Sequence, residues 1–274
     1  MYRSMKSGVK FVDGSWHLNK ERKPLEEYQN SRLPGACFFD IDAVSDNSSP
    51  LPHMLPSPEV FAQACTELGI SNNDHVLIYV HNACFSAARV WWTFKVFNHH
   101  KVSIIDGGIE AWKKAGGDIE SGPVASIDTG EGGYENRGMD KDLVFTSKQV
   151  LDVVSSGSAQ IIDARSPARF RAEVPEPRDG VEGGHIPGSL NLPFNALVRE
   201  DDVTSFRSPE EMRDAFKEVG VIFGSKVITT CGSGVTASIL SLAMYILRGD
   251  LQMAPVFDGS WSEWGADKFL PKMK

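Results

Sequence analysis

The residues best suited to do chemistry form one short loop, Cys231-Gly232-Ser233-Gly234-Val235-Thr236. An apolar run over residues 226–230 precedes this loop, and apolar residues at helical spacing follow it as far as Ile246. A cysteine between a buried strand and the start of a helix lies beside backbone N–H groups that lack helical partners. These groups and the helix dipole favour the thiolate, which is the nucleophilic form of cysteine. We therefore predict that Cys231 is a nucleophile, in preference to a plain buried cysteine at a strand end.

The chain repeats one unit at an offset close to 150 residues, and five pairs of segments match in the same order. The pairs are Phe11–Asp13 with Ile161–Asp163, Leu33–Ala36 with Ile186–Ser189, Ser57–Glu59 with Ser208–Glu210, Val76–Ile78 with Lys226–Ile228, and Asp106–Trp112 with Asp258–Trp264. A repeat of this length indicates duplicated domains. At this offset His81 takes the place of Cys231, which predicts a catalytically silent first domain. Cys84 lies nearby and is a less favoured nucleophile.

Short apolar segments alternate with helical patterns in both halves of the chain. The predicted strands are Lys10–Val12, His75–Val80, Val102–Ile105, Gln160–Asp163, Lys226–Thr230 and Pro255–Phe257. Ser57 and Ser208 are predicted N-caps, each followed by proline, and Glu211 completes a capping box after Ser208. A further helix is expected over residues 145–155, with Thr146 or Ser147 as its cap.

This alternation predicts an α/β fold with two tandem domains, each a mostly parallel sheet flanked by helices. The expected domains are residues 1–125 and 143–274, joined by a linker over 126–142 that is rich in Gly, Asp, Glu and Ser. Ligands of such sheets gather at the carboxyl ends of the strands, and Cys231 lies at one of these ends.

Composition argues against several kinds of partner. A net charge of −8 argues against a nucleic-acid surface and against an anionic membrane. No apolar run approaches the roughly 18 residues that a membrane-spanning helix needs. The four cysteines have no paired spacing, so we expect neither a disulfide framework nor a metal site.

The duplication, the Cys231 loop and the segment Asp258–Trp264 together resemble the tandem-domain rhodanese-type sulfurtransferases, in particular the 3-mercaptopyruvate sulfurtransferases. The resemblance extends from about Phe11 to the C-terminus. It implies two rhodanese-like domains, of which the second carries a cysteine, matched by Cys231, that accepts sulfur as a persulfide. It implies 3-mercaptopyruvate as donor, pyruvate as product, and thioredoxin, a small thiol or cyanide as acceptor, without a metal or organic cofactor. The expected compartment is cytoplasmic or mitochondrial.

The resemblance also implies roles for individual residues. The substrate-binding set is Arg169, Arg178, Gly232, Gly234, Val235 and Thr236. Arginine suits the substrate carboxylate and carbonyl, because its guanidinium forms paired hydrogen bonds, and the loop amides suit the charge of the persulfide. Arg165 and Arg171 are expected to be structural.

A proton-transfer set is also implied, and its counterparts here are Asp42, His53 and Ser233, with His53 oriented by Asp42. The same three residues fit an interdomain hydrogen-bond network without a catalytic role, and the sequence leaves both interpretations open.

Three other functions remain for comparison. The uncharged loop favours mercaptopyruvate over dianionic thiosulfate, so a thiosulfate:cyanide sulfurtransferase is the alternative enzyme. A phosphatase of the Cys-x5-Arg type is disfavoured, because the sixth residue after Cys231 is Ala237 and not arginine. A non-catalytic docking protein is disfavoured for the second domain by its intact cysteine loop.

Overall fold

The computed structural model of the protein describes residues 8–81, 85–124, 133–248 and 253–274. Cys84 and residues 126–132 of the expected linker lie outside these residues. The chain divides into two compact units. The first contains the described residues of Met1–Asn47, Leu55–Asp140 and Asp201–Phe206, and the second those of Ser48–Met54, Lys141–Glu200 and Arg207–Lys274. Each unit thus includes one short segment from the other half of the sequence; the domain ranges 1–125 and 143–274 stay a prediction.

The first unit is a four-stranded parallel sheet with helices between its strands. Its strands are β1 (Val9–Asp13), β2 (Cys37–Phe38), β3 (His75–Tyr79) and β4 (Val102–Ile104), in the order β2-β1-β3-β4. Its helices are α1 (Pro24–Asn30), α2 (Pro58–Glu67), α3 (Ser86–Val96) and α4 (Gly108–Lys114).

The second unit is a five-stranded parallel sheet of the same kind. Its strands are β5 (Val144–Phe145), β6 (Gln160–Asp163), β7 (Leu190–Asn191), β8 (Val227–Thr230) and β9 (Val256–Phe257), in the order β5-β9-β8-β6-β7. Its helices are α5 (Ser147–Ser156), α6 (Pro167–Phe170), α7 (Pro209–Glu218), α8 (Ala237–Arg248) and α9 (Ser260–Trp264). The predicted parallel α/β architecture is confirmed in both units.

Local sequence signals account for the element boundaries. Ser57 accepts a hydrogen bond from the backbone N–H of Val60 at the start of α2. Ser208 with Glu211 and Thr146 with Gln149 form capping boxes at the starts of α7 and α5. Every residue of β8 is buried, as expected for a central parallel strand covered on both faces. The core of the second unit includes Trp261 and Trp264, whose side chains are buried.

Strand register corrects the alignment of the two units by one residue. Asp13 at the end of β1 lies opposite Tyr79, whereas the matching Asp163 at the end of β6 lies opposite Thr230. Val80, and not His81, therefore occupies the position of Cys231 in the first unit. The error arose because both strands are apolar runs, in which a slip of one residue leaves the apparent similarity unchanged. The first unit still lacks a cysteine at this position.

His99 is a buried titratable residue of the first unit, with only 1% of its surface exposed. Its Nε2 lies 3.1 Å from the Asp74 carbonyl oxygen and its Nδ1 lies 3.0 Å from the Tyr134 hydroxyl. The carbonyl can only accept, so Nε2–H donates to it and Nδ1 accepts from Tyr134 in the neutral ring. Burial lowers the pKa of His99 to about 4; the hydrogen bond to Asp74 opposes this effect and the charge of Arg137 adds to it.

Acidification should therefore destabilise the first unit. An unfolded His99, with a pKa near 6.5, binds a proton that the folded state excludes until the pH approaches about 4. This contribution to stability is complete above the unfolded pKa and is lost as the pH falls toward the folded value; in total it is about 3 kcal/mol. Urea unfolding of the wild type and of His99→Gln across this range should show a shallower pH dependence for the variant. His100→Gln, at an exposed neighbour, is the control, and equal slopes for the wild type and His99→Gln would contradict the assignment.

Candidate active site

Cys231 follows β8 directly, at the carboxyl end of the sheet of the second unit, and is 2% exposed. The loop from Gly232 to Thr236 connects it to α8. Gly234 adopts the left-handed conformation with φ 77°, which glycine tolerates better than other residues, and its carbonyl oxygen accepts a hydrogen bond from Ser238 Oγ at 3.0 Å. The expected strand–loop–helix context of the cysteine is present.

The loop amides are available to a ligand. Within the described part of the chain, the backbone N–H groups of residues 232–236 donate no hydrogen bond. They precede α8, whose dipole adds positive potential at this end. Several unpaired N–H groups at a helix N-terminus form a suitable site for a negative charge.

The other side of the loop is held by the first turn of α9. The N–H of Cys231 donates to Ser260 Oγ at 3.2 Å, and the Trp261 N–H donates to the Cys231 carbonyl oxygen at 3.0 Å. The Gly232 carbonyl oxygen accepts from both the backbone N–H and the hydroxyl of Ser262, at 2.9 and 2.6 Å. The segment Asp258–Trp264 therefore fixes the backbone of Cys231 and Gly232.

Arg169, on α6, lies against the cysteine loop. A Cβ atom added to Gly232 would lie 3.1 Å from Arg169 Nη2, so glycine at this position leaves room for the guanidinium. Arg169 also donates to both carboxylate oxygens of Glu176, at 3.2 Å from Nε and 2.5 Å from Nη2. Its side chain remains 25% exposed, which allows contact with a ligand.

Arg178 is half-buried beside the same group of charges. Burial and the nearby Arg169 lower its pKa, whereas Cys231 and Glu176 favour its charged form. Within the described residues it makes no hydrogen bond. Because Arg169 and Arg178 have one carboxylate, Glu176, between them, the site has positive charge left for an anionic ligand.

Glu176 is a residue that the sequence analysis did not assign. Its side chain is 4% exposed, and besides Arg169 it accepts a hydrogen bond from Arg165 Nη1 at 2.9 Å. Arg165 is fully buried and also pairs with Asp163 at 2.6 Å, which confirms its structural role. Arg171 pairs with Glu173 at the surface. The signal that could have identified Glu176 is its place among four arginines, although the same stretch also contains Glu173.

The residues of the predicted proton-transfer set come from both units. Ser233 is buried in the loop, and His53 belongs to the same unit through the segment Ser48–Met54. His53 is buried and adopts the left-handed conformation with φ 61°. Asp42 belongs to the first unit, where its Oδ2 accepts a hydrogen bond from Trp16 Nε1 at 2.9 Å. Proton transfer by this set stays a prediction.

Neither a metal site nor a membrane-spanning helix is found among the described residues. No group of three His, Cys, Asp or Glu side chains among them could hold a metal ion. No helix in that part of the chain is long and apolar enough to cross a membrane. Cys37, Cys65 and Cys231 are free thiols, and burial raises the pKa of Cys37 to about 12, which makes it a poor nucleophile.

Comparison with known proteins agrees with this geometry. The family model described as "Rhodanese-like domain" matches residues 6–115 and 146–267. The 3-mercaptopyruvate sulfurtransferase of Escherichia coli is 43% identical over 92% of this chain and 86% of its own. The Thiosulfate/3-mercaptopyruvate sulfurtransferase 1, mitochondrial, of Arabidopsis thaliana is 39% identical over 96% of this chain and 73% of its own.

A solved structure extends the agreement to the whole fold. The crystal structure of the Tum1 protein from Saccharomyces cerevisiae superposes with a TM-score of 0.85 at 29% identity, covering 96% of this chain and 90% of that one. The family model matches both halves, and the sequence relatives cover most of the chain. The chain belongs to the tandem-domain rhodanese-like sulfurtransferases.

Proposed function

We propose that this protein takes sulfur from 3-mercaptopyruvate through a persulfide on Cys231, releases pyruvate, and passes the sulfur to a thiol such as thioredoxin or a small thiol, or to cyanide. The observation that carries the proposal is the pair of arginines beside the cysteine loop. Arg169 lies against Gly232, and the charge of Arg178 interacts with that of Cys231. A thiol-bearing keto acid has a carboxylate for such a pair to bind and a sulfur atom to present to Cys231.

Two steps follow from this arrangement. The Cys231 thiolate attacks the substrate sulfur, an S–S bond forms, the C–S bond breaks, and its electrons remain on pyruvate as the enolate, which then takes a proton. In the second step an acceptor thiolate attacks the outer sulfur and restores the Cys231 thiolate. The amides of residues 232–236 bind the negative charge of the persulfide between the steps. Ser233, His53 and Asp42 are proposed to move the proton in the first step.

Thiosulfate is the alternative donor, because two arginines also suit a dianion, and the Arabidopsis relative is named for both donors. The loop itself carries no basic residue from Gly232 to Thr236, which favours the monoanionic keto acid. The same relative is named as mitochondrial, which agrees with a mitochondrial or cytoplasmic site of action for this chain.

Replacement of the nucleophile gives the first test. Cys231→Ser is nearly isosteric, so the melting temperature should stay close to that of the wild type, while pyruvate release should be abolished because an alcohol forms no persulfide. Intact-mass measurement after addition of 3-mercaptopyruvate should show one added sulfur atom on the wild type and on the control Cys84→Ser, and none on Cys231→Ser. A persulfide on Cys231→Ser would exclude Cys231 as the nucleophile.

The choice of donor is tested on the wild type. We expect kcat/KM for 3-mercaptopyruvate to exceed that for thiosulfate, with cyanide as the common acceptor, because the loop offers amides and no additional cation. A preference for thiosulfate in the same assay would favour the alternative enzyme.

The two arginines should contribute separately to substrate binding. Loss of a charge-assisted hydrogen bond to a carboxylate costs about 1.5–3 kcal/mol. Arg169→Ala or Arg178→Ala should therefore lower kcat/KM for 3-mercaptopyruvate by roughly ten- to a hundredfold. Arg171→Ala, which removes an exposed arginine of the same stretch, is the matched control. Wild-type kcat/KM in Arg169→Ala and Arg178→Ala would show that another cation binds the carboxylate.

A further inference from the structure

Ser260, the first residue of α9, adopts an unusual backbone conformation. Its φ is 48°, in the left-handed region that residues other than glycine rarely adopt, and its side chain is fully buried. A serine is more strained there than a glycine would be, and such strain persists at sites where the surroundings fix the residue. Its side chain must therefore make an interaction that glycine cannot replace.

The hydroxyl of Ser260 links the end of β9 to the cysteine. It donates to the Phe257 carbonyl oxygen at 2.7 Å and accepts from the backbone N–H of Cys231 at 3.2 Å. Within the described residues, this hydroxyl is the one partner of the Cys231 N–H. The donated bond fixes the direction of the hydroxyl, so its lone pair points at the cysteine.

The first unit has the same turn but no hydroxyl group at the corresponding position. Gly108, at the first position of α4, also has a left-handed φ of 56°. The next residue, Ile109, donates to the Val80 carbonyl oxygen at 3.1 Å, just as Trp261 donates to that of Cys231 at 3.0 Å. A Cβ atom at Gly108 would lie 2.4 Å from this carbonyl oxygen, so the first unit has no room for a side chain there. The serine occurs in the unit that has the cysteine, and glycine in the unit that has Val80.

We propose that Ser260 is a positioning residue for sulfur transfer: its hydroxyl holds the backbone of Cys231 so that Sγ stays aimed at the bound donor. The proposal rests on the proposed role of Cys231 as nucleophile. Ser260 lies on the backbone side of the cysteine, while Arg169 and Arg178 bind the donor. Loss of the hydroxyl should therefore slow the chemical step and leave donor binding intact.

Two substitutions separate the hydroxyl from the backbone strain. Ser260→Gly removes both, so relief of the strain offsets part of the loss of two buried hydrogen bonds and the variant should melt above Ser260→Ala, yet kcat should fall about tenfold with KM for 3-mercaptopyruvate unchanged. Ser260→Ala removes the hydroxyl and keeps the strain, so it should show a similar fall in kcat and a lower melting temperature. A purely structural role predicts the opposite, with activity following stability in both variants.

Ser262→Ala is the matched comparison on the same helix. Its hydroxyl also contacts the loop, but the Gly232 carbonyl oxygen keeps the Ser262 N–H as a second donor. Its kcat should therefore fall less than that of Ser260→Gly. The rate of persulfide formation, followed by quenched intact-mass measurement, distinguishes the role of Ser260 from the proposed role of Cys231. Equal rates in the wild type and a stable Ser260→Gly would overturn the role of Ser260 alone, whereas absence of persulfide in the wild type would overturn the proposed function and this inference with it.

Discussion

A buried chain of charges connects the sheet of the second unit to its functional site. Asp163 at the end of β6 pairs with Arg165, Arg165 pairs with Glu176, and Glu176 holds Arg169. Removal of one member would leave a buried charge uncompensated, which is strongly destabilising, so the four side chains fix one another's positions. The Arg165 guanidinium also lies 4.4 Å from the centre of the Trp261 ring. Arg165 thereby links the end of β6, through Glu176, to Arg169 and also contacts the helix that holds the cysteine loop.

The electrostatics of the site follow from this chain. Asp163 and Glu176 balance Arg165 and Arg169, and Arg178 adds a further positive charge that no described side chain pairs with. Partial burial of Arg178 makes that charge costly until an anion or the Cys231 thiolate lies nearby. The same field therefore suits an anionic ligand beside the cysteine loop.

Much of this arrangement was predictable from local sequence. The apolar run before Cys231 and the helical pattern after it specify the strand–loop–helix context. Ser57 and Ser208 specify helix starts, because each side chain accepts a hydrogen bond from the backbone N–H three residues later. Of the four described strands of two residues, which are too short to show a periodicity, β9 was predicted and β2, β5 and β7 were not. Glu176 and Ser260 could not be assigned, because their partners lie 7 to 29 positions away and are brought near by the fold. The alignment of His81 with Cys231 was wrong for a related reason. The register of the two units is fixed by the pairing of Asp13 with Tyr79, which only the fold shows.

The two units keep one framework and differ in the side chain that lies against its buried aspartate. In both, an aspartate at the end of an inner strand, β1 or β6, accepts a hydrogen bond from the backbone N–H two residues later, at 3.0 Å from Ser15 to Asp13 and 2.9 Å from Arg165 to Asp163. In the second unit Asp163 pairs with Arg165, which also pairs with Glu176, the partner of Arg169. In the first, Asp13 pairs with the imidazole of His81 at 3.0 Å. His81 directly follows Val80, which occupies the position of Cys231. Asp13 therefore lies against a residue of the segment that corresponds to the cysteine loop. The shared buried carboxylate thus lies against Arg165 in the unit that has the cysteine, and against His81 in the unit that has valine at that position.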